Sequence, residues 1–265
     1  SSFTITPGVA STFSTQPTGA APGNTFTSQP VVVIQDSEGN TSTSYTDAVT
    51  LSITSDTGAA GATLVGTTTV PAVNGVATFT DLRIDEAATG YTLTATSGSL
   101  TSAVSSSFDV SAGPASTLVI TSEPSTTAAG EAFSAQPVAQ IQDAYGNAIT
   151  SSSASVTASI TLNTGAAGST LSGSTSVSAF YGVATFSGLS IDKAGSGYTL
   201  TLSSNGLASA VTSEFSILSA SASALAFSVQ PSGGTAGDTS ALSTTVVMSL
   251  RRPFRVNSTS TQKVR

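Results

Sequence analysis

Apolar residues recur at every second position in short runs along this chain, the spacing that turns one face of a β-strand to a core and the other to solvent. Val49, Leu51 and Ile53 make one such run, and Tyr91, Leu93 and Ala95 another. Val104, Phe108 and Val110 are expected to follow as a single inward-facing closing strand. The pattern returns as Val156, Ala158, Ile160, then Tyr198, Leu200, Leu202, then Val211, Phe215, Ile217. Turn formers separate the runs: Gly39-Asn40 and Gly146-Asn147, Gly58 and Gly165, Asn74-Gly75 and Tyr181-Gly182, Gly90 and Gly197. Roughly seven short strands per hundred residues, frequent turns and no helical periodicity predict an all-β chain of Greek-key sandwiches.

The runs repeat because the text repeats. TFTSQPVVVIQDSEGN (Thr25–Asn40) returns as AFSAQPVAQIQDAYGN (Ala132–Asn147), and Asp56–Ala95 returns as Asn163–Leu202, each 107 residues later. That period is too long for a solenoid and fits whole domains in tandem. We therefore expect two immunoglobulin-like repeats, residues 10–112 and 113–220, in an elongated array with partial repeats at both ends. Residues 1–9 read as the last strand of a preceding repeat, and residues 221–238 as the start of a truncated third. The short Ala112-Gly113-Pro114 connector, with its proline, is expected to restrict the hinge and stiffen the array.

Composition narrows the chemistry. Cysteine and histidine are absent from the 265 residues, which removes disulfides, thiolate nucleophiles, the usual zinc sites and every histidine-based triad. No lysine dyad accompanies any of the serines, so the chain is expected to be non-enzymatic, without catalytic, cofactor or metal residues. Five of the seven basic residues fall in the last fifteen positions; before them Arg83 and Lys193 face fourteen acids, a formal charge of −12. Such a surface repels phosphate backbones and argues against nucleic acid. No apolar run is long enough to span a bilayer.

Residues 239–265 form a divergent basic tail in which the repeat text fails. The abrupt change at mid-repeat points to a shifted reading frame, a cloning scar or a mis-assembled gene; a basic anchor or partner-binding tail is the functional alternative.

Four landmarks in fixed order, QDSEGN (Gln35–Asn40), GATLVGTTT (Gly61–Thr69), NGVATFTDL (Asn74–Leu82) and GYTLTA (Gly90–Ala95), recur as QDAYGN, GSTLSGSTS, YGVATFSGL and GYTLTL. On these motifs both copies resemble bacterial Ig-like domains of the invasin and intimin type. Tyr181 departs from the usual turn asparagine, and the first strand around Phe13 is shorter than its counterpart around Leu118. The resemblance implies surface-exposed tandem modules that project an adhesive domain, so an extracellular or cell-surface location follows as an expectation.

Several residues invite a sharper reading. Asp36 and Asp143 in Gln-Asp-x-x-Gly-Asn suit either a calcium ligand or, more simply, an aspartate opening a turn. Tyr91 and Tyr198 suit a stacking aromatic or a tyrosine corner whose hydroxyl bonds upstream backbone. Tyr145 and the Phe180-Tyr181 pair, present in the second repeat only, suit sugar or protein contact, or packing on an adjoining domain. Lys193 suggests an isopeptide crosslink, but its counterpart Glu86 argues against one. Asn40-Thr41-Ser42 and Asn257-Ser258-Thr259 match the N-glycosylation triplet, and the Ser/Thr abundance admits O-glycosylation.

The expected role is a non-enzymatic extracellular spacer whose partners are neighbouring repeats of its own array. Two alternatives stand beside it: a filament subunit assembled by strand addition through Ser1–Thr6, and a carbohydrate- or protein-binding accessory module of a large secreted protein.

Overall fold

A computed structural model describes residues 10–220, together with the backbone of two later strands, Ala222–Phe227 and Val246–Leu250. Residues 1–9, the remainder of 221–265 and the Asn257 triplet lie outside the described residues, and with them the terminal strand expected at Ser1–Thr6. Ala222–Phe227 and Val246–Leu250 pair antiparallel, so five positions that the sequence reading gave to the divergent tail are strand. The described residues hold strands, turns and bends but no helix.

The chain divides into two compact units. Unit 1 is Ser1–Thr117 with Ile141–Ser152, and unit 2 is Leu118–Gln140 with Ser153–Arg265.

In unit 1, Ala10–Thr15, Val31–Gln35 and Val76–Thr78 form one sheet in that order. Ala103–Val104, Leu93–Thr96, Ala48–Ile53 and Thr69–Pro71 form a second. Phe108–Val110 pairs with Ala88–Tyr91, and Leu64–Val65 with Arg83–Ile84. The alternating residues of these sheets meet in one core: Val32 and Ile34 from the first, Val49, Leu51, Leu93 and Ala95 from the second, with Tyr91, Phe108 and Val110. Full burial of each large side chain is worth about 1.5–3 kcal/mol.

The same plan returns about 107 residues further along the chain. Ser176–Ser178, Ser155–Ile160, Leu200–Ser203 and Ala210–Val211 make its four-stranded sheet, and Thr117–Ser122, Val138–Gln142 and Val183–Thr185 a three-stranded one. A third sheet runs Thr127–Ala128, Phe215–Leu218, Gly195–Tyr198, and its first pair is parallel, with Thr127 opposite Ile217 and Ala128 opposite Leu218.

The closing strand differs from expectation. Val104 and Val211 are 56 % and 53 % exposed, not inward-facing. Each belongs to a short edge strand, separate from the strand that carries Phe108 or Phe215. Between the two pieces a polar residue turns inward. Ser105 is buried, its amide donates to Leu93 O and its Oγ accepts the Leu93 amide at 2.9 Å; Thr212 does the same with Leu200 at 2.8 Å. The chain thus leaves one sheet for another, and the period-two alternation breaks at the crossing.

The Gln-Pro landmarks also find a cause. Gln29 Oε1 accepts the Leu82 amide and its Nε2 donates to Leu82 O; Gln136 brackets Leu189 in the same way. One side chain satisfies both backbone groups of a buried leucine where the ladder lapses.

Candidate functional site

Tyr91 and Tyr198 end the strands Ala88–Tyr91 and Gly195–Tyr198, where the expected turn glycines Gly90 and Gly197 are positive-φ strand residues, and both rings are fully buried, stacked at 6.0 Å on Phe108 and Phe215. Their hydroxyls donate to Glu86 O at 2.8 Å and Lys193 O at 2.9 Å. With both ring faces and the hydroxyl spent inside the fold, the tyrosines act as corner locks, and burial pushes the Tyr91 hydroxyl above its ordinary pKa. Gly58 and Gly165 cover these rings with positive φ, and a Cβ at either would enter the ring of Tyr91 or Tyr198.

The two Gln-Asp-x-x-Gly-Asn loops share an internal geometry. Asp36 Oδ1 accepts the amides of Glu38 and Asn40 at 3.1 and 2.8 Å, and Asn40 Nδ2 donates to both carboxylate oxygens. Asp143 Oδ1 accepts the amides of Tyr145 and Asn147, each at 2.9 Å, and Asn147 Nδ2 again donates to both oxygens. Backbone and amide donors thus fill both carboxylates, which is the turn arrangement and leaves little lone-pair capacity for a cation. Among the described residues no group of three or more acidic or other ligand side chains is placed to hold a metal ion. The donors of Asn40, first its amide and then its side chain, hold Asp36 below the usual carboxylate range. Asp143 is more buried, which raises its pKa, but the donors from Asn147, Gly113 and Tyr145 outweigh that and leave it lowered.

Surroundings set the second loop apart. The Gly113 amide donates to Asp143 Oδ2 at 2.8 Å. Asn147 Oδ1 accepts the Ala87 amide at 2.7 Å, and its Nδ2 donates to Asp85 O at 2.9 Å. A Cβ on Gly23 would overlap the Tyr145 ring, so that ring lies directly over Gly23. All these residues belong to unit 1. Nothing in the shared letters of the motif marks Asn147 for this role, because Asn40 closes the same Gln-Asp-x-x-Gly-Asn pattern.

Phe180 and Tyr181 occupy the tip of the turn closed by reciprocal bonds between Phe180 and Val183. They are 76 % and 69 % exposed, edge to face with centroids 4.5 Å apart. Tyr181 holds φ at 48°, as its counterpart Asn74 does at 51°. Neither ring is packed into the fold.

Lys193 Nζ donates to Ala167 O at 3.0 Å, a surface hydrogen bond. Asn40, of the first glycosylation triplet, is exposed with its side-chain nitrogen engaged by Asp36. No described helix is long and apolar enough to cross a membrane, which leaves strand-built crossings unaddressed.

No protein-family profile matches the chain, and no curated protein sequence matches it. Among solved structures, a β-glycosidase from Bacteroides vulgatus is 16 % identical with a TM-score of 0.31, covering 81 % of this chain and 25 % of that one. A Parabacteroides merdae β-glucuronidase is 15 % identical with a TM-score of 0.27, covering 80 % and 25 %. The adhesin InvE of Yersinia pseudotuberculosis is 15 % identical with a TM-score of 0.31, covering 78 % and 58 %. This chain spans about a quarter of the length of the two hydrolases. At these scores the likenesses assign it neither a family nor an activity.

Proposed function

We propose that the chain is a pair of non-catalytic, immunoglobulin-like accessory modules in a larger secreted or cell-surface protein, and that it offers a contact surface for carbohydrate or protein. The observation that carries this reading is the Phe180-Tyr181 tip, two large rings held edge to face in solvent on a tight turn. Rings of this kind stack on sugar faces and anchor protein interfaces, and the tyrosine hydroxyl adds a polar handle. Among the described residues, Phe26, Phe79, Phe133 and Phe186 are buried along with the corner tyrosines, and the half-exposed Tyr145 lies over Gly23.

The test is a glycan and protein-ligand screen of the full chain beside its Phe180→Val, Tyr181→Asn double variant. That variant installs the residues the first repeat carries at Val73 and Asn74, so the turn is kept while the rings are lost. Binding by the parent that falls at least tenfold in the variant supports the reading; a screen in which the parent binds nothing, or both bind alike, removes it.

A spacer role of the invasin and intimin kind is the second reading. It is favoured by the recurrence of one complete core plan, down to the Gln29 and Gln136 brackets, at a 107-residue shift. Under it, residues 10–112 and 113–220 are the repeating units.

A further inference from the structure

Two asparagines in the sequence are followed by glycine, Asn74 and Asn205, and the fold holds them differently. An asparagine can be attacked at its own Cγ by the backbone nitrogen of the next residue, and a glycine there puts no side chain in the way. That nitrogen has to shed its proton and turn onto Cγ, so an N–H held by a carbonyl is poorly placed to react. Gly75 is held in this way: it is buried, its amide donates to Tyr45 O at 3.1 Å, and its carbonyl accepts the Ile34 amide at 2.8 Å. Reciprocal bonds between Val73 and Val76 fix the turn around it. Asn205 and Gly206 are exposed, and a single bond closes their turn, from the Leu207 amide to Ser204 O at 3.2 Å. Among the described residues the Gly206 amide has no hydrogen-bond partner, and a Cβ on Gly206 would meet nothing within 4 Å beyond its chain neighbours. The corresponding turn of the first repeat, residues 97–100, carries Gly98-Ser99 and is tied down by Tyr45, whose hydroxyl lies 2.8 Å from Ser97 Oγ. The second repeat has Ser152 in place of that ring.

We infer that Asn205 is a site of spontaneous covalent modification, passing through a cyclic imide to aspartate and isoaspartate, while the fold protects Asn74. The Gly206 nitrogen bonds to Asn205 Cγ as the Cγ–Nδ2 bond breaks, and ammonia leaves with the proton that the glycine nitrogen gives up. Water then opens the imide at one of its two carbonyls. Attack at Cγ leaves an ordinary aspartate; attack at the Asn205 backbone carbonyl leaves a main chain that runs through Cγ and is one carbon longer. Either product places a carboxylate where the amide was neutral. The site lies in the turn that joins Leu200–Ser203 to the edge strand Ala210–Val211, so isoaspartate lengthens that connection. Neither Phe180 nor Tyr181 takes part, which keeps this chemistry separate from ligand binding at the tip.

The full chain is incubated in mildly alkaline buffer, sampled over time, then unfolded and cut with trypsin after Arg83 and Lys193, which puts Asn74 and Asn205 on separate fragments. Mass spectrometry should show amide-to-acid conversion at Asn205 roughly tenfold or more faster than at Asn74. Methyl transfer by an isoaspartyl methyltransferase should label the Asn205 fragment. When the incubation is run in urea, where the Gly75 bond to Tyr45 is lost, the two rates should converge. Gly206→Ala sets a methyl beside the attacking nitrogen and should slow Asn205 severalfold while leaving Asn74 unchanged; Asn205→Ser should remove the label from that fragment. A folded chain in which Asn205 stays intact, converts no faster than Asn74 or yields no isoaspartate overturns the inference, as does an unfolded chain that keeps the difference.

Discussion

Tyr181 sits where the backbone wants an asparagine. Its φ of 48° lies in the left-handed region, which side chains other than those of Gly, Asn and Asp enter at a cost, and the first repeat has Asn74 at the same place. Tyr181→Asn should therefore raise stability by roughly 0.5–1 kcal/mol. A urea midpoint that moves up at unchanged slope would show it; an unmoved or lowered midpoint would mean that the edge-to-face contact with Phe180 repays the strain. Strain kept at an exposed tip is what a contact site would show, since no packing inside the fold needs the ring. At this scale the sequence was informative about the corners: the Gly-Tyr-Thr-Leu text marked Tyr91 and Tyr198 as corner candidates with a hydroxyl bond to upstream backbone, and the acceptors prove to be Glu86 O and Lys193 O. It was silent about Asn147, because the residues that complete its hydrogen bonds lie 60 and 62 positions back and leave no trace in the local motif.

Among the strands, alternation gave the right inward face wherever a strand stays within one sheet, as with Val49 and Leu51, or Leu200 and Leu202. It failed for Val104 and Val211 because the closing segment crosses between sheets, and a crossing resets which side chains point inward. The residues that manage the crossing are polar, so hydrophobic periodicity overlooked them. Ser105 and Thr212 each accept a backbone amide in the interior, and removing the acceptor strands that donor away from water. Thr212→Val should cost about 1–3 kcal/mol although it adds apolar surface, while Thr212→Ser should recover most of the loss. Equilibrium unfolding in urea distinguishes the two; equal stability of the valine and threonine forms would show that the bond contributes nothing.

For the molecule as a whole, titration is confined to the extremes of pH. There is no histidine, so no side chain with an ordinary pKa changes charge in the middle of the range. Asp36 and Asp81 are held low chiefly by the backbone amides of Asn40 and Thr67, Asp192 by that of Thr170, and Asp143 by donors that overcome its burial. A carboxylate whose pKa is lowered on folding contributes stability above its unfolded value of 3.8, and that contribution is lost as pH falls through the folded value. Tyr91 works in the opposite sense: its buried neutral form contributes below the unfolded value of 10.0 and is lost as pH rises through the raised one. The thermal midpoint should therefore be flat from about pH 5 to 9 and fall on both sides. A step between pH 5 and 8 would contradict this account.

The parallel pairing of Thr127–Ala128 with Phe215–Leu218 bears on force. These strands come early and late in the second repeat and run in the same direction, so tension drawn along the polypeptide pulls them oppositely along their shared axis. Their hydrogen bonds are then loaded together, in shear, instead of opening one at a time like a zip. Phe215–Leu218 is pinned on its other side by Gly195–Tyr198, whose tyrosine is locked at the corner. Extension of this repeat thus loads a two-residue seam in shear, with the ring of Tyr198 behind it.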